Sequence, residues 1–117
     1  MVLRIVERGG IYLANLNPNK GQEPGKVRPV IVIQADALND VDHPTVIVVP
    51  LTSRLLSGAY PLRCLIKARG ALDCDSDALC DQLRAISRQR ISSEKIAALT
   101  QQEMLELGGC INLILDF

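Results

Sequence analysis

GQEPGKVRPVIVI, residues 21–33, decides how this chain is read. Its first half is a polar loop rich in glycine and proline. Its second half, Val30 to Ile33, is apolar at every position, so both faces of the segment must be buried. Such a run, bounded by turn residues, reads as an interior strand. Pro29 stands at the strand's beginning, where the missing N–H is tolerated. An acid, Glu23, and a base, Arg28, lie on the loop that leads into it. A carboxylate and a guanidinium at the mouth of a buried strand are either a surface ion pair or part of a site.

Outward from this strand, the neighbouring segments alternate between short extended runs and turns. Gly9-Gly10 opens a strand over 11–16, closed by the turn residues Asn17-Pro18-Asn19. Residues 36–42 read as a helical turn and loop. A largely apolar strand covers 45–49. Pro50 interrupts its pairing and leaves Leu51-Thr52-Ser53 at a strand end or bulge. Further extended stretches are expected over 62–67, 78–81 and 84–87, with a polar turn region over 69–76. Ser92-Ser93-Glu94 is expected to start a short helix over 93–99. Thr100 and Glu103 form a capping-box sequence for a terminal helix. Met104, Leu107, Gly108, Ile111, Ile114 and Leu115 would line that helix's apolar face. Short strands followed by a packing helix point to a mainly β, α+β fold: a small curved sheet or barrel with a C-terminal helix.

Composition narrows the class. The 117 residues fit one domain, 1–117, and 48% of them are hydrophobic with only 3% aromatic, so Val, Ile and Leu fill the core. That apolar excess, in Val30 to Ile33 and on the terminal helix, also offers material for an interface. Zero net charge argues against a strongly basic protein that coats nucleic acid, and leaves room for a local phosphate grip. Cys64, Cys74, Cys80 and Cys110 form no C-x-x-C pair and His43 is distant in sequence, so neither a metal site nor a cofactor is expected. Buried free thiols in a cytoplasmic protein are the expectation. No apolar run approaches the ~20 residues of a membrane span.

The groups able to carry chemistry are Glu23, Arg28, Thr52, Ser53, Arg54, Asp81, Gln82 and Arg84, all on loops or at strand ends. Cleavage of RNA through its own 2′-hydroxyl needs a cation and hydroxyl donors for the charge that develops on phosphorus. It also needs a group to assist proton transfer. These residue types supply that set, but each has a plainer reading. Glu23 and Arg28 serve equally as an ion pair fastening the loop, Thr52 as a β-branched strand residue, and Asp81-Gln82 as a turn.

Four segments in order resemble the MazF/PemK (Kid) family of toxin endoribonucleases. They are GGIYLANLNPNKGQEPGKVRPVIVIQ, VIVVPLTS, LCDQLRAIS and the closing LILDF. The resemblance spans nearly the whole chain. It implies an SH3-like small β-barrel with a C-terminal helix, of the kind shared with CcdB-like toxins. It implies a homodimer that cuts single-stranded RNA at a specific sequence without metal, leaving 2′,3′-cyclic phosphate and 5′-hydroxyl ends. A MazE-like antitoxin partner is implied as well. Carried over by position, Arg28, Thr52 and Glu23 are the catalytic set. Lys20, Gln22, Lys26, Ser53, Arg54, Asp81, Gln82 and Arg84 are candidate RNA contacts. Gln22 and Leu79 stand where the Kid-like branch has histidine and arginine, so the Arg28–Thr52 arrangement is favoured over Asp81 as a base. Gly10 replaces the acid that opens the first signature. CcdB-like gyrase poisons use a C-terminal tryptophan, and this chain has no tryptophan. A catalytically dead SH3-like interaction module is the other alternative.

Overall fold

The structure is a computed structural model that describes residues 5–16 and 26–117. Along them run strands β1 (Gly10–Asn15) and β2 (Val27–Val32), a one-turn helix α1 (Asp36–Asn39), and strands β3 (Thr45–Thr52), β4 (Arg63–Ile66), β5 (Ser76–Leu79) and β6 (Arg84–Ser87). The two-residue strand β7 (Ala97–Ala98) and helix α2 (Gln101–Leu115) complete the order. The strands form one antiparallel sheet in the order β4-β5-β3-β2-β1-β7, with β6 also paired to β3. Strand β3 is the branch point. Its first half holds β6, from Thr45↔Ser87 to Val48↔Arg84, and its end holds β5 at Leu51↔Ala78 and Thr52↔Asp77.

The sheet buries both faces, which is why its central strands are apolar without alternation. Tyr12, Ala14, Val30, Val32, Val46, Val48 and Ile86 point into one core. Ile11, Ile31, Val49, Leu51, Ile66 and Ala78 point into a second core, closed by Leu107 and Cys110 of α2. Burying a Val, Leu or Ile side chain contributes about 1.5–3 kcal/mol, so the two cores dominate stability. Val30, Ile31 and Val32 are wholly enclosed. The expectation that this strand supplies interface surface is therefore corrected. Exposed apolar side chains lie instead on α2, where Leu105 and Leu113 are 66% and 58% exposed, and around the loop after β3, at Leu55, Leu56, Tyr60 and Leu62.

Two prolines shape the open end of the sheet. The Ile33 N–H donates to the Ile47 carbonyl at 3.0 Å, so residues 33, 31 and 29 turn their backbone groups toward β3. Pro29 has no N–H to give, and the β2–β3 ladder stops at Val30↔Pro50. The same alternation turns the missing N–H of Pro50 to the other edge of β3, at the gap between the Arg84 and Ala78 partners. As expected, pairing along this edge is interrupted at Pro50 and Thr52 ends the strand, although β3 itself runs unbroken through the proline. Pro50 occupies a place where no ladder hydrogen bond requires its donor.

The terminal helix starts as its sequence dictates. Thr100 Oγ1 accepts from the Glu103 N–H at 3.1 Å, and the Thr100 N–H donates to Glu103 Oε1 at 2.8 Å. Met104, Ile111 and Ile114 pack on the second core as the helical spacing predicts, whereas Leu115 turns outward. The expected helix over 93–99 is absent. That segment is extended because it satisfies the backbone of β1. Ile96 N–H donates to Ile11 O at 2.8 Å, Leu99 N–H to Gly9 O at 2.9 Å and Ser92 N–H to Leu13 O at 2.9 Å. Leaving those β1 groups unpaired costs more than the weak helical preference of seven residues returns. The extended segment expected over 78–81 begins two residues earlier, and Asp81 sits in a 3-10 turn, Cys80–Gln82. All four cysteines are free thiols. Cys80 and Cys110 are buried and Cys64 is half-buried, but Cys74 is exposed, against expectation. Burial pushes the Cys64 and Cys80 thiols up to about 11 and 12, so both stay protonated and inert. Among the described residues no helix is long and apolar enough to cross a membrane.

Candidate active site

Arg28 and Thr52 share one face of the sheet. Arg28 pairs with Ala14, which points into the first core, so Arg28 shares that face. Thr52 follows Val48 by four residues on β3 and shares the same face. The ladder ends at Val30↔Pro50, and its register extended by two residues would align Arg28 with Thr52. Arg84, paired with Val48, adds a second guanidinium to this face from β6. The row lies where Pro29 has ended the β2–β3 ladder.

Thr52 is nearly buried, at 8% exposure. Its Oγ1 accepts from the Arg54 N–H at 3.2 Å, which leaves the hydroxyl proton to be donated elsewhere. Ser53 is exposed on the opposite side of the strand. There a cavity of about 530 Å³ opens between Leu13, Pro29, Leu51, Leu72 and Ile96. Lys26, Arg28 and Ser53 lie on its wall. Arg28 thus belongs to both the row and the cavity rim. Lys26 is held at φ +64°, a left-handed conformation immediately before β2.

The remaining sequence candidates are spread more widely. Asp81 is exposed in the 3-10 turn that joins β5 to β6. Gln82, beside it, has its Oε1 buried with no hydrogen-bond partner among the described residues. Arg54 is exposed on the loop after β3. Lys20, Gln22 and Glu23 lie outside the described residues. No cluster of three or more His, Cys, Asp or Glu side chains placed to hold a metal occurs among the described residues.

Sequence reasoning missed Arg63 and Asp77. Asp77 is 5% exposed on β5, directly across from Thr52. Its Oδ2 accepts from the Leu56 N–H at 2.8 Å and from Arg63 Nη1 at 3.1 Å. The available signal was an aspartate inside a strand run, a position that aspartate disfavours unless something binds it. Gly10 also has a structural reason. A Cβ there would stand 2.7 Å from the Tyr12 ring, whose hydroxyl accepts from the Glu7 N–H at 2.9 Å. Any side chain at this position requires the Tyr12 ring to shift.

The family described as PemK-like, MazF-like toxin of type II toxin-antitoxin system matches residues 7–115. A protein named Endoribonuclease MazF from Staphylococcus saprophyticus is 38% identical over 95% of this chain and 92% of its own length. Its namesake from Staphylococcus epidermidis is 37% identical over the same shares. In fold, the chain is similar to crystal structures from Deinococcus radiodurans. MazF superposes with a TM-score of 0.80 at 24% identity, covering 97% of this chain and 99% of that one. A MazE-MazF structure gives 0.75 at 24%, covering 97% and 98%. The chain belongs to the PemK-like, MazF-like toxins of type II toxin-antitoxin systems.

Proposed function

We propose that this toxin is an endoribonuclease that cuts single-stranded RNA at the Arg28–Thr52 row, and so blocks translation. The observation that supports the site is the shared face of Arg28 and Thr52, each two residues past the last β2–β3 pair, Val30↔Pro50. The activity is supported by relatives named as endoribonucleases at 38% and 37% identity.

In the proposed step the 2′-oxygen attacks the adjacent phosphorus as its proton leaves. The bond to the 5′-oxygen breaks, and that oxygen takes up a proton. The products are a 2′,3′-cyclic phosphate and a 5′-hydroxyl. The Arg28 guanidinium faces the phosphorane oxygens, and the Thr52 hydroxyl donates to one of them. The backbone of Arg28 is fixed by pairing to Ala14 and by Pro29 after it, so the cation is placed before the reaction begins. Glu23, on the loop leading into Arg28, is proposed to assist proton transfer. Arg84 extends the cationic face, and Lys26 and Ser53 extend the strip around the cavity rim. Lys20, Gln22, Arg54, Asp81 and Gln82 are proposed to contact the flanking nucleotides. With Tyr12, Tyr60 and Phe117 as the only aromatics, hydrogen bonding outweighs stacking in reading bases.

Two partners complete the proposal. A second copy of the chain covers the exposed leucines of α2, since a large apolar patch marks an interface and two-fold closure is the commonest. A MazE-like antitoxin with an acidic, disordered segment lays carboxylates where phosphates otherwise sit. Action on messenger RNA places the protein in the cytoplasm.

The test is incubation of pure protein with a long mixed-sequence RNA, a matched DNA and a 2′-O-methyl RNA, each with and without EDTA. Discrete fragments with 5′-hydroxyl ends are expected from RNA alone, chelator or not. Cleavage of the 2′-O-methyl RNA, or complete inhibition by EDTA reversed by Mg²⁺, overturns the proposed chemistry.

A further inference from the structure

We infer that Arg63 and Asp77 are positioning residues: together they latch the loop that carries Ser53 and Arg54, and so hold the Thr52 hydroxyl in its working orientation. The inference rests on the assignment of Thr52 to the site.

Thr52 ends β3, and its hydroxyl orientation is tied to the loop through the Arg54 N–H, 3.2 Å from Oγ1. If the loop shifts, that hydrogen bond breaks and the hydroxyl proton is redirected. Two further ties act on this loop, and both come from one ion pair. Arg63 Nη1 donates to the Arg54 carbonyl at 2.7 Å and to Asp77 Oδ2 at 3.1 Å. The same Oδ2 accepts from the Leu56 N–H at 2.8 Å. Residue 54 is therefore held on both its amide and its carbonyl side, and residue 56 on its amide.

The pair is rigid for reasons of place. Asp77 sits on β5 cross-strand from Thr52 and from Leu65, and Arg63 pairs with Leu79, so the two charges lie diagonally on one face. Their side chains are only 6% and 24% exposed, so water screens them weakly. A surface ion pair anywhere else on the sheet would satisfy solubility equally well. This pair instead spends its hydrogen bonds on the two ends of a three-residue stretch, Arg54 to Leu56, that begins two residues after the site hydroxyl.

The experiment measures single-turnover cleavage for Arg63→Met, Arg63→Lys and Asp77→Asn, together with amide exchange at Arg54 and Leu56. Thr52→Val serves as the reference for the site itself. Arg63→Met and Asp77→Asn are expected to speed exchange at Leu56 and lower the cleavage rate at saturating RNA tenfold or more. The half-saturating RNA concentration should change less than threefold. Arg63→Lys keeps a donor near both acceptors and is expected to recover at least half of the lost rate. Faster exchange with a cleavage rate within twofold of the parent overturns the positioning role. So does unchanged exchange in a folded Arg63→Met protein. If one variant fails to fold, the other two carry the same comparison. Full activity in Thr52→Val identifies failure of the site assignment instead, and the positioning role falls with it. An inactive Thr52→Val beside a normal Arg63→Met removes the latch alone.

Discussion

Arg28 and Thr52 fall on one face of the sheet, each two residues beyond Val30↔Pro50, the last pair of the β2–β3 ladder. Strands normally close this distance with hydrogen bonds. Here Pro29 withholds the backbone donor that the next pair would need, so the β2–β3 ladder ends while Arg28 stays paired to Ala14 of β1. A phosphate flanked by a guanidinium and a hydroxyl fits that chemistry.

Replacing Arg28 with alanine is expected to lower RNA cleavage about a hundredfold or more, equivalent to about 3 kcal/mol of transition-state stabilisation. The side chain is half-exposed at the end of β2, so the fold should survive. Lysine should recover little, because a point charge lacks the planar fork. Gel-based cleavage beside a circular dichroism melt checks both halves. Near-parental cleavage by a folded Arg28→Ala protein removes Arg28 from the site.

Thr52→Val exchanges a hydroxyl for a methyl at nearly constant volume. It also deprives the Arg54 N–H of its acceptor. A stability loss of about 1 kcal/mol is expected from that hydrogen bond, with a far larger loss of cleavage. Thr52→Ser should restore both. Activity retained in the valine variant would show that Thr52 serves only the strand.

Glu103 provides a pH test of the helix junction. The Arg69 guanidinium donates to it, with Nη2 to Oε2 at 2.6 Å, and the Thr100 N–H adds a second tie. Chiefly through Arg69, these hold its carboxyl at about 2, against an ordinary 4.5. A folded carboxyl more acidic than the unfolded one stabilises the fold fully above about 4.5 and progressively less as pH falls toward 2. Partial solvent screening limits the effect to about 1–2 kcal/mol. Glu103→Gln is expected to lower the melting temperature at pH 7 and to flatten its fall between pH 4.5 and 2. Parallel melting curves for the two proteins across that range would contradict this account.

Sedimentation at micromolar concentration is expected to show a dimer. Changing both Leu105 and Leu113, 66% and 58% exposed on α2, to serine should shift it toward monomer without unfolding it. A parent protein that sediments as a monomer and still cleaves RNA would rule out the dimer while leaving the Arg28–Thr52 chemistry intact.

Much of this was legible in the sequence because it is local. A short apolar run such as Val30 to Ile33, bounded by turn residues, reads as an interior strand, and Thr100 with Glu103 reads as a helix start, since each rule acts within a few residues. The motif order gave the family and pointed to Arg28 and Thr52. What local rules could not decide was anything set by the sheet as a whole. Residues 93–99 look helical in isolation, but they lie extended because β1 needs an edge partner. Pro50 looks like an interruption, but it falls at the gap where β3 changes neighbours. Asp77 carries no motif of its own, but it binds Arg63 and the loop after Thr52 from a strand twenty-five positions away. Register is a collective property of all the strands, fixed by burying two cores at once. Only the folded sheet therefore determines which side chains face each other across it.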